Sequence, residues 1–318
     1  MLDETVLSRE RIKSARSRRL KQNVQGLAIT MLPMLGFLLF SAIPIVLSFF
    51  VSFTTINRTD TFTLERFAHM TLYNYKTLLT NANFYRVLLN SVYFTLSVPV
   101  TMALGLLISV LLNRELRGKR FFRTVFFVPY VCSIVAVSIT WKMMYEENYG
   151  IINTILSSMG LGKVGWITDG DIFMTSLILM SIWSKVGFCV ILYQAALANV
   201  DKSYYDAARI DGAGAARIFF SIEIPCISPT TFYLLTIKLS SALQVMAEAQ
   251  VMGGAHLEGV SGITAVYYLY NLGFVYNQSE GFGGFGIASA CSWLLTIVIL
   301  AITALNFKLS DKWVHYDN

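Results

Sequence analysis

Residues 27–53 read LAITMLPMLGFLLFSAIPIVLSFFVSF, a run without one charged side chain. A helix rises about 1.5 Å per residue, so about 20 apolar residues span the roughly 30 Å hydrocarbon core of a bilayer. The run is long enough to cross, and well beyond the roughly 7–15 apolar residues of a cleaved leader. No small-residue cleavage site follows it. Five further stretches are mostly apolar: Val87–Leu112, Val125–Tyr145, Ile172–Leu197, Ile224–Val245 and Phe285–Phe307. The expectation is an all-α integral membrane protein with about six transmembrane helices.

Composition agrees. Hydrophobic residues make up 55% of the 318 positions and charged ones 14%, against roughly 25% charged in soluble domains. Mean hydropathy is +0.58. A net charge of +6 would suggest nucleic acid in a soluble protein, but here the basic residues sit beside apolar runs. Cys132, Cys189, Cys226 and Cys291 each lie within an apolar stretch, and none has a partner at CxxC spacing. His69, His256 and His315 share no ligand spacing, so no metal site is expected.

Orientation follows from the cytoplasmic excess of Lys and Arg. The amino-terminal tail carries Arg9, Arg11, Lys13, Arg16, Arg18, Arg19 and Lys21, the second connection Arg114, Arg117, Lys119, Arg120 and Arg123, and the fourth Lys202, Arg209 and Arg217. Lys308 and Lys312 close the chain, whereas 247–284 has no basic residue and 146–171 only Lys163, so these two connections are expected to face outward. Both termini are therefore expected on the cytoplasmic side. The resulting division is a basic tail at 1–26, a six-helix transmembrane domain at 27–308, a cytoplasmic loop at 199–223 within it, and a carboxyl tail at 309–318.

That loop runs from Asp201 to Pro225 as DKSYYDAARIDGAGAARIFFSIEIP. Ser203 followed by Asp206 fits the start of a short capped helix, Ala207 and Ala208 propagate it with a bare surface, and Gly212 and Gly214 permit a sharp turn. A helix so poor in large apolar groups buries little against its own bundle and suits another protein's groove.

The spacing resembles the coupling-loop signature of binding-protein-dependent ABC importers: an acidic residue, Ala-Ala, a Gly a few positions on, and a hydrophobic-x-hydrophobic-Pro ending. Here these are Asp206, Ala207 and Ala208, then Asp211-Gly212-Ala213, and Ile222-x-Ile224-Pro225. Tyr73-Asn-Tyr75, 113–123 ahead of Pro129, Gly253-Gly254 and 309–316 extend the likeness over almost the whole chain, toward the carbohydrate branch with the maltose and glycerol-phosphate permeases. One departure is Asp206, where the family usually has Glu: the charge is kept with a shorter reach.

The resemblance implies a type I importer permease-like bundle with a cytoplasmic coupling helix, in a bacterial or archaeal cytoplasmic (inner) membrane. It implies a second, homologous permease as partner, two ATP-binding subunits beneath, and an extracellular or periplasmic solute-binding protein that delivers the substrate. No Gly-x-x-x-x-Gly-Lys-Ser/Thr loop occurs in the sequence. ATP and Mg are therefore expected to be used by the partners, with no cofactor bound by this chain and no enzymatic activity of its own. An ATPase-independent carrier or channel is the alternative; such proteins commonly place acidic residues or broken inverted repeats at mid-membrane.

Two lysines stand inside spans, Lys185 and Lys238, where insertion of a central lysine costs roughly 2.5–3.5 kcal/mol. Counted from the coupling loop, both fall where the resemblance implies sugar-contacting positions, although maltose-type relatives have small uncharged residues there. Ser181 and Phe188 lie about one turn from Lys185 and Ser241 one turn from Lys238, so each lysine belongs to a candidate cavity-facing stripe. No carboxylate falls within the spans. Two unneutralised ammonium groups would favour an acidic or phosphorylated saccharide. Equally open at this level are pairing with the partner permease and hydrogen bonding to a neutral oligosaccharide.

Overall fold

The structure, a computed structural model, describes residues 26–27, 29–57, 59–60, 63, 67, 69–113, 118–257, 259–276 and 283–315. The basic tail before residue 26, Arg114, Arg117 and residues 316–318 lie outside them. Among the described residues every regular element is helical. In chain order the principal helices are α1 (Ile29–Ser52), α2 (Tyr73–Thr80) and α3 (Ala82–Asn113). Then come α4 (Lys119–Val131), α5 (Ile134–Met144), α6 (Ile151–Ser158), α7 (Gly170–Ala198) and α8 (Lys202–Ile210). The chain continues through α9 (Ala215–Cys226), α10 (Ser228–Leu243), α11 (Ala247–Met252), α12 (Ala265–Tyr270) and α13 (Phe285–Ser310).

Four of these, α1, α3, α7 and α13, are long and apolar enough to cross a membrane unbroken. The two remaining expected spans are bent pairs, α4 with α5 at 97° and α9 with α10 at 64°, which bring the count to six only if each pair is one span. The expected Val125–Tyr145 span is thus corrected to two helices at nearly a right angle. Its break lies at Cys132 and Ser133, whose ψ angles of 149° and 128° take the backbone out of the helix. The second break precedes Ser228-Pro229, where proline in the first turn favours a helix start because no N–H is needed there. A proline inside a helix leaves the carbonyl four residues back without its donor and crowds it. π-Turns at Leu38–Ala42 and Phe219–Glu223 fall just ahead of Pro44 and Pro225, absorbing that mismatch.

The core forms around α7, which packs most extensively on the second half of α3 and then on α4. Close approach needs small residues. A β-carbon on Gly105 of α3 would stand 2.5 Å from Cys189 Cβ of α7, and one on Gly187 would run into the carbonyl of Phe126 in α4. Around these crossings Leu177, Met180, Cys189 and Tyr193 are fully buried. At the other edge α13 packs on α1, with Trp293 Nε1 donating to Ser48 Oγ at 3.3 Å. Most of α1 is exposed apolar surface, as a helix solvated by acyl chains can be.

The stretch 247–284, expected as an external connection, instead folds back into the bundle over much of its described length. Asn90 Nδ2 of α3 donates to the carbonyls of Val260 and Ile263, each at 2.9 Å, and the Ala265 N–H donates to Ser91 Oγ at 2.8 Å. Tyr267, Tyr268 and Leu272 are buried as a result. Buried backbone polar groups must be paired, and polar side chains of α3 pair these.

Candidate functional site

Two places bring the sequence's candidate residues together: the connection from α7 to α10, and a cavity between α3, α4, α7 and α10. In the connection, Asp201 rather than Ser203 caps α8, accepting the Ser203 backbone N–H at 2.9 Å. The Ser203–Asp206 capping pair is therefore corrected by two residues: Asp201 has the extended backbone a cap requires, and its short carboxylate reaches the second helical N–H. That hydrogen bond, and then one with the Ser203 hydroxyl, hold the Asp201 carboxyl below the usual carboxylate range. Asp206 lies within the helix, exposed, 3.7 Å from Arg209.

The far end of α8 closes on Gly212, whose φ of +72° is a conformation that glycine adopts freely. Gly212 N–H donates to Arg209 O at 3.1 Å and Ala213 N–H to Ala208 O at 2.9 Å, satisfying the last carbonyls. This explains Asp211-Gly212-Ala213 as the C-terminal cap of the helix. No residue of α8 is buried; Ser203, Asp206 and Ala207 are exposed, Ala208 is half-buried, and Ile210 is 87% exposed. Tyr205 points inward and donates to Glu223 Oε1 at 3.4 Å. Burial, and then the Glu223 carboxylate, push the Tyr205 phenol up to about 12. Glu223 is itself buried and sits two residues before Pro225.

The cavity, of about 140 Å³, is lined among others by Ser181, Lys185, Phe188, Lys238 and Ser241. All five sequence candidates therefore share one space, two helical stripes facing each other. Ser97 and Thr101 of α3 and Tyr130 of α4 also line it; sequence reasoning missed them because apolar runs carry no sign of which face turns inward. Tyr130 and Phe188 lie with ring centroids 4.9 Å apart. Lys238 Nζ rests 4.8 Å from the Phe188 centroid and 5.4 Å from that of Tyr130, with the Lys185 carbonyl 3.5 Å away.

One expectation fails here. Lys185 Nζ meets Glu248 Oε1 at 3.2 Å, so a carboxylate does enter the bundle. Glu248 belongs to α11 and was assigned to the external connection by its position after the fifth span. The only signal for it was its place in the otherwise apolar stretch around VMAEAQVM.

A sequence profile for the binding-protein-dependent transport system inner membrane component family matches residues 78–312, covering both places. The chain belongs to that family. This permease is 32% identical to the probable ABC transporter permease protein YesP of Bacillus subtilis, over 96% of each chain. It is 30% identical to the arabinooligosaccharides transport system permease protein AraP of the same organism, over 88% of this chain and 86% of that one. A chain in the crystal structure of the bacterial alginate ABC transporter, in complex with an alginate pentasaccharide-bound periplasmic protein, superposes with a TM-score of 0.78. That likeness covers 92% of the permease and 96% of the other chain at 23% identity, and it shows the fold alone. The family is one of multi-pass membrane transport subunits and not of enzymes.

Proposed function

We propose that this permease forms half of the substrate pathway of an ATP-driven saccharide importer, in a bacterial or archaeal cytoplasmic membrane with both termini inside. A second permease supplies the other half, two ATP-binding subunits use ATP and Mg below, and an external binding protein delivers the sugar. The observation that carries this is α8, a helix capped at both ends, rigid by its hydrogen bonds and without a buried residue of its own. Such a helix is a lever whose outer surface is free for another protein. Ser203, Asp206, Ala207 and Ala208 present that surface, while Asp211, Gly212, Ala213 and Pro225 shape its exit.

Movement of α8 has a route to the cavity. Tyr205 and Glu223 tie the helix to α9, and α9 continues through the bend into α10, which carries Lys238 and Ser241. A displacement of the ATP-binding subunits would tilt α10 against α7, the pair of helices that holds Lys238 and Lys185, and so open the cavity alternately to either side. The arabinooligosaccharide system to which AraP is assigned supports a saccharide as cargo.

The test is affinity purification of tagged permease from its native host, followed by reconstitution. An ATP-binding protein should copurify and hydrolyse ATP faster when the sugar-loaded binding protein is added, and Asp206→Lys should remove that stimulation. Transport by the isolated permease without an ATPase would overturn the proposal in favour of a carrier.

A further inference from the structure

The cavity carries an unbalanced charge. Lys185 is neutralised by Glu248 at 3.2 Å and is turned toward it, with the Phe94 ring on its other flank at 5.5 Å. Lys238 is 8% exposed, and among the described residues no carboxylate lies within ion-pair distance of it. Its neighbours are two ring faces and one carbonyl at 3.5 Å. A lysine ammonium has three protons to donate. A desolvated cation is held by ring faces, but it is not discharged by them. Within the cavity one amino group therefore remains with unused hydrogen-bonding capacity, and its ammonium form stands without a counter-charge until a ligand brings one.

Two features define what would complete it. A phosphate ester carries about −1.5 to −2 near neutral pH, more than one lysine offsets, whereas a carboxylate carries one charge. The volume of about 140 Å³ is below the roughly 300 Å³ at which ordinary ligand pockets begin, so this half of the pathway is limited to at most one sugar unit. Ser181 and Ser241 stand beside the lysine with hydroxyls that both donate and accept, as sugar hydroxyls require.

Resting on the importer reading, we infer that this cavity is a uronate subsite, which takes one carboxylate-bearing sugar unit with Lys238 as its counter-charge. Glu248 then has a defined part: by neutralising Lys185 it sets the subsite to a single charge. Tyr130 and Phe188 fix the ammonium and keep water from it.

Binding is measured calorimetrically on the permease in lipid nanodiscs with whatever subunits accompany it. The probes are digalacturonate, its dimethyl ester, galactobiose and a galactose phosphate. Digalacturonate should bind at least about tenfold more tightly than the ester and the neutral disaccharide, as a charge-assisted hydrogen bond allows. Lys238→Met should abolish that preference and Lys238→Arg should retain it. Glu248→Gln should shift preference toward the phosphate by exposing a second charge. Equal binding of ester and acid, preference of the parent for the phosphate, or no binding of digalacturonate overturns the inference. Should Lys238→Met fail to fold, the parent's ranking of the four probes and the Lys238→Arg variant decide it alone. Copurification of an ATPase is independent of every one of these results, so loss of the uronate subsite and loss of the importer reading are told apart.

Discussion

Lys185 and Glu248, far apart in sequence, meet at 3.2 Å and tie the middle of α7 to the short helix α11. The pair lies mostly out of solvent, with the carboxylate side chain 9% exposed. Removing one member strands the other charge, whereas removing both leaves an apolar contact. Glu248→Met or Lys185→Met alone should therefore destabilise the bundle by about 3 kcal/mol, and the two together should recover most of that loss. Thermal unfolding in detergent of the two single variants and the double variant measures this. Additive losses would show that the two charges do not interact.

The α4–α7 crossing depends on the absence of a side chain at Gly187. Since a methyl there meets the Phe126 carbonyl, Gly187→Ala should cost about 1–3 kcal/mol through overpacking. Gly162→Ala, with open space around it, should stay within about 0.5 kcal/mol. Equal melting temperatures for the two variants would contradict the crossing.

At the end of α8, Gly212→Ala forces a side chain into a left-handed conformation at a cost of about 1 kcal/mol. The loss should be local, leaving unfolding of the bundle unchanged while weakening stimulation of the ATPase. Amide exchange in α8, compared with exchange in α7, separates the two effects.

Tyr205 supplies a pH dependence. Its folded-state pKa is raised to about 12 from the ordinary 10 by burial and Glu223. The protonated phenol is therefore favoured by the fold, and its contribution is complete below pH 10 and is lost as pH rises toward about 12. The thermal stability of the parent should step down across that window, and Tyr205→Phe should show no such step. A step that persists in the variant would assign the transition to another group.

Topology is open to a labelling test. In a background without the four native cysteines, Ser203→Cys should react with an impermeant maleimide only from the cytoplasmic side. Ser158→Cys, in the exposed α6, should react only from outside. The reverse pattern removes the assignment of α8 as the cytoplasmic lever.

The alternation of long apolar runs with short polar connections in the sequence was enough to place α1, α3, α7 and α13, because an apolar run of about 20 residues has few other solutions in a membrane. The loop at 201–225 was singled out by the resemblance of Asp206-Ala207-Ala208 and Asp211-Gly212-Ala213 to the coupling-loop signature, with the local signals of a short helix beside it. Ser181, Lys185, Phe188, Lys238 and Ser241 were legible as two stripes because helical spacing alone puts residues one turn apart on one face.

What the sequence could not determine is what those stripes face. The 97° bend at Cys132–Ser133 brings Tyr130 to the cavity, and the return of 247–252 brings Glu248 to Lys185. Both depend on contacts between residues distant along the chain. Local propensity sets where a helix starts and stops; only packing decides which charges end up beside each other, and here it reduced two free lysines to one.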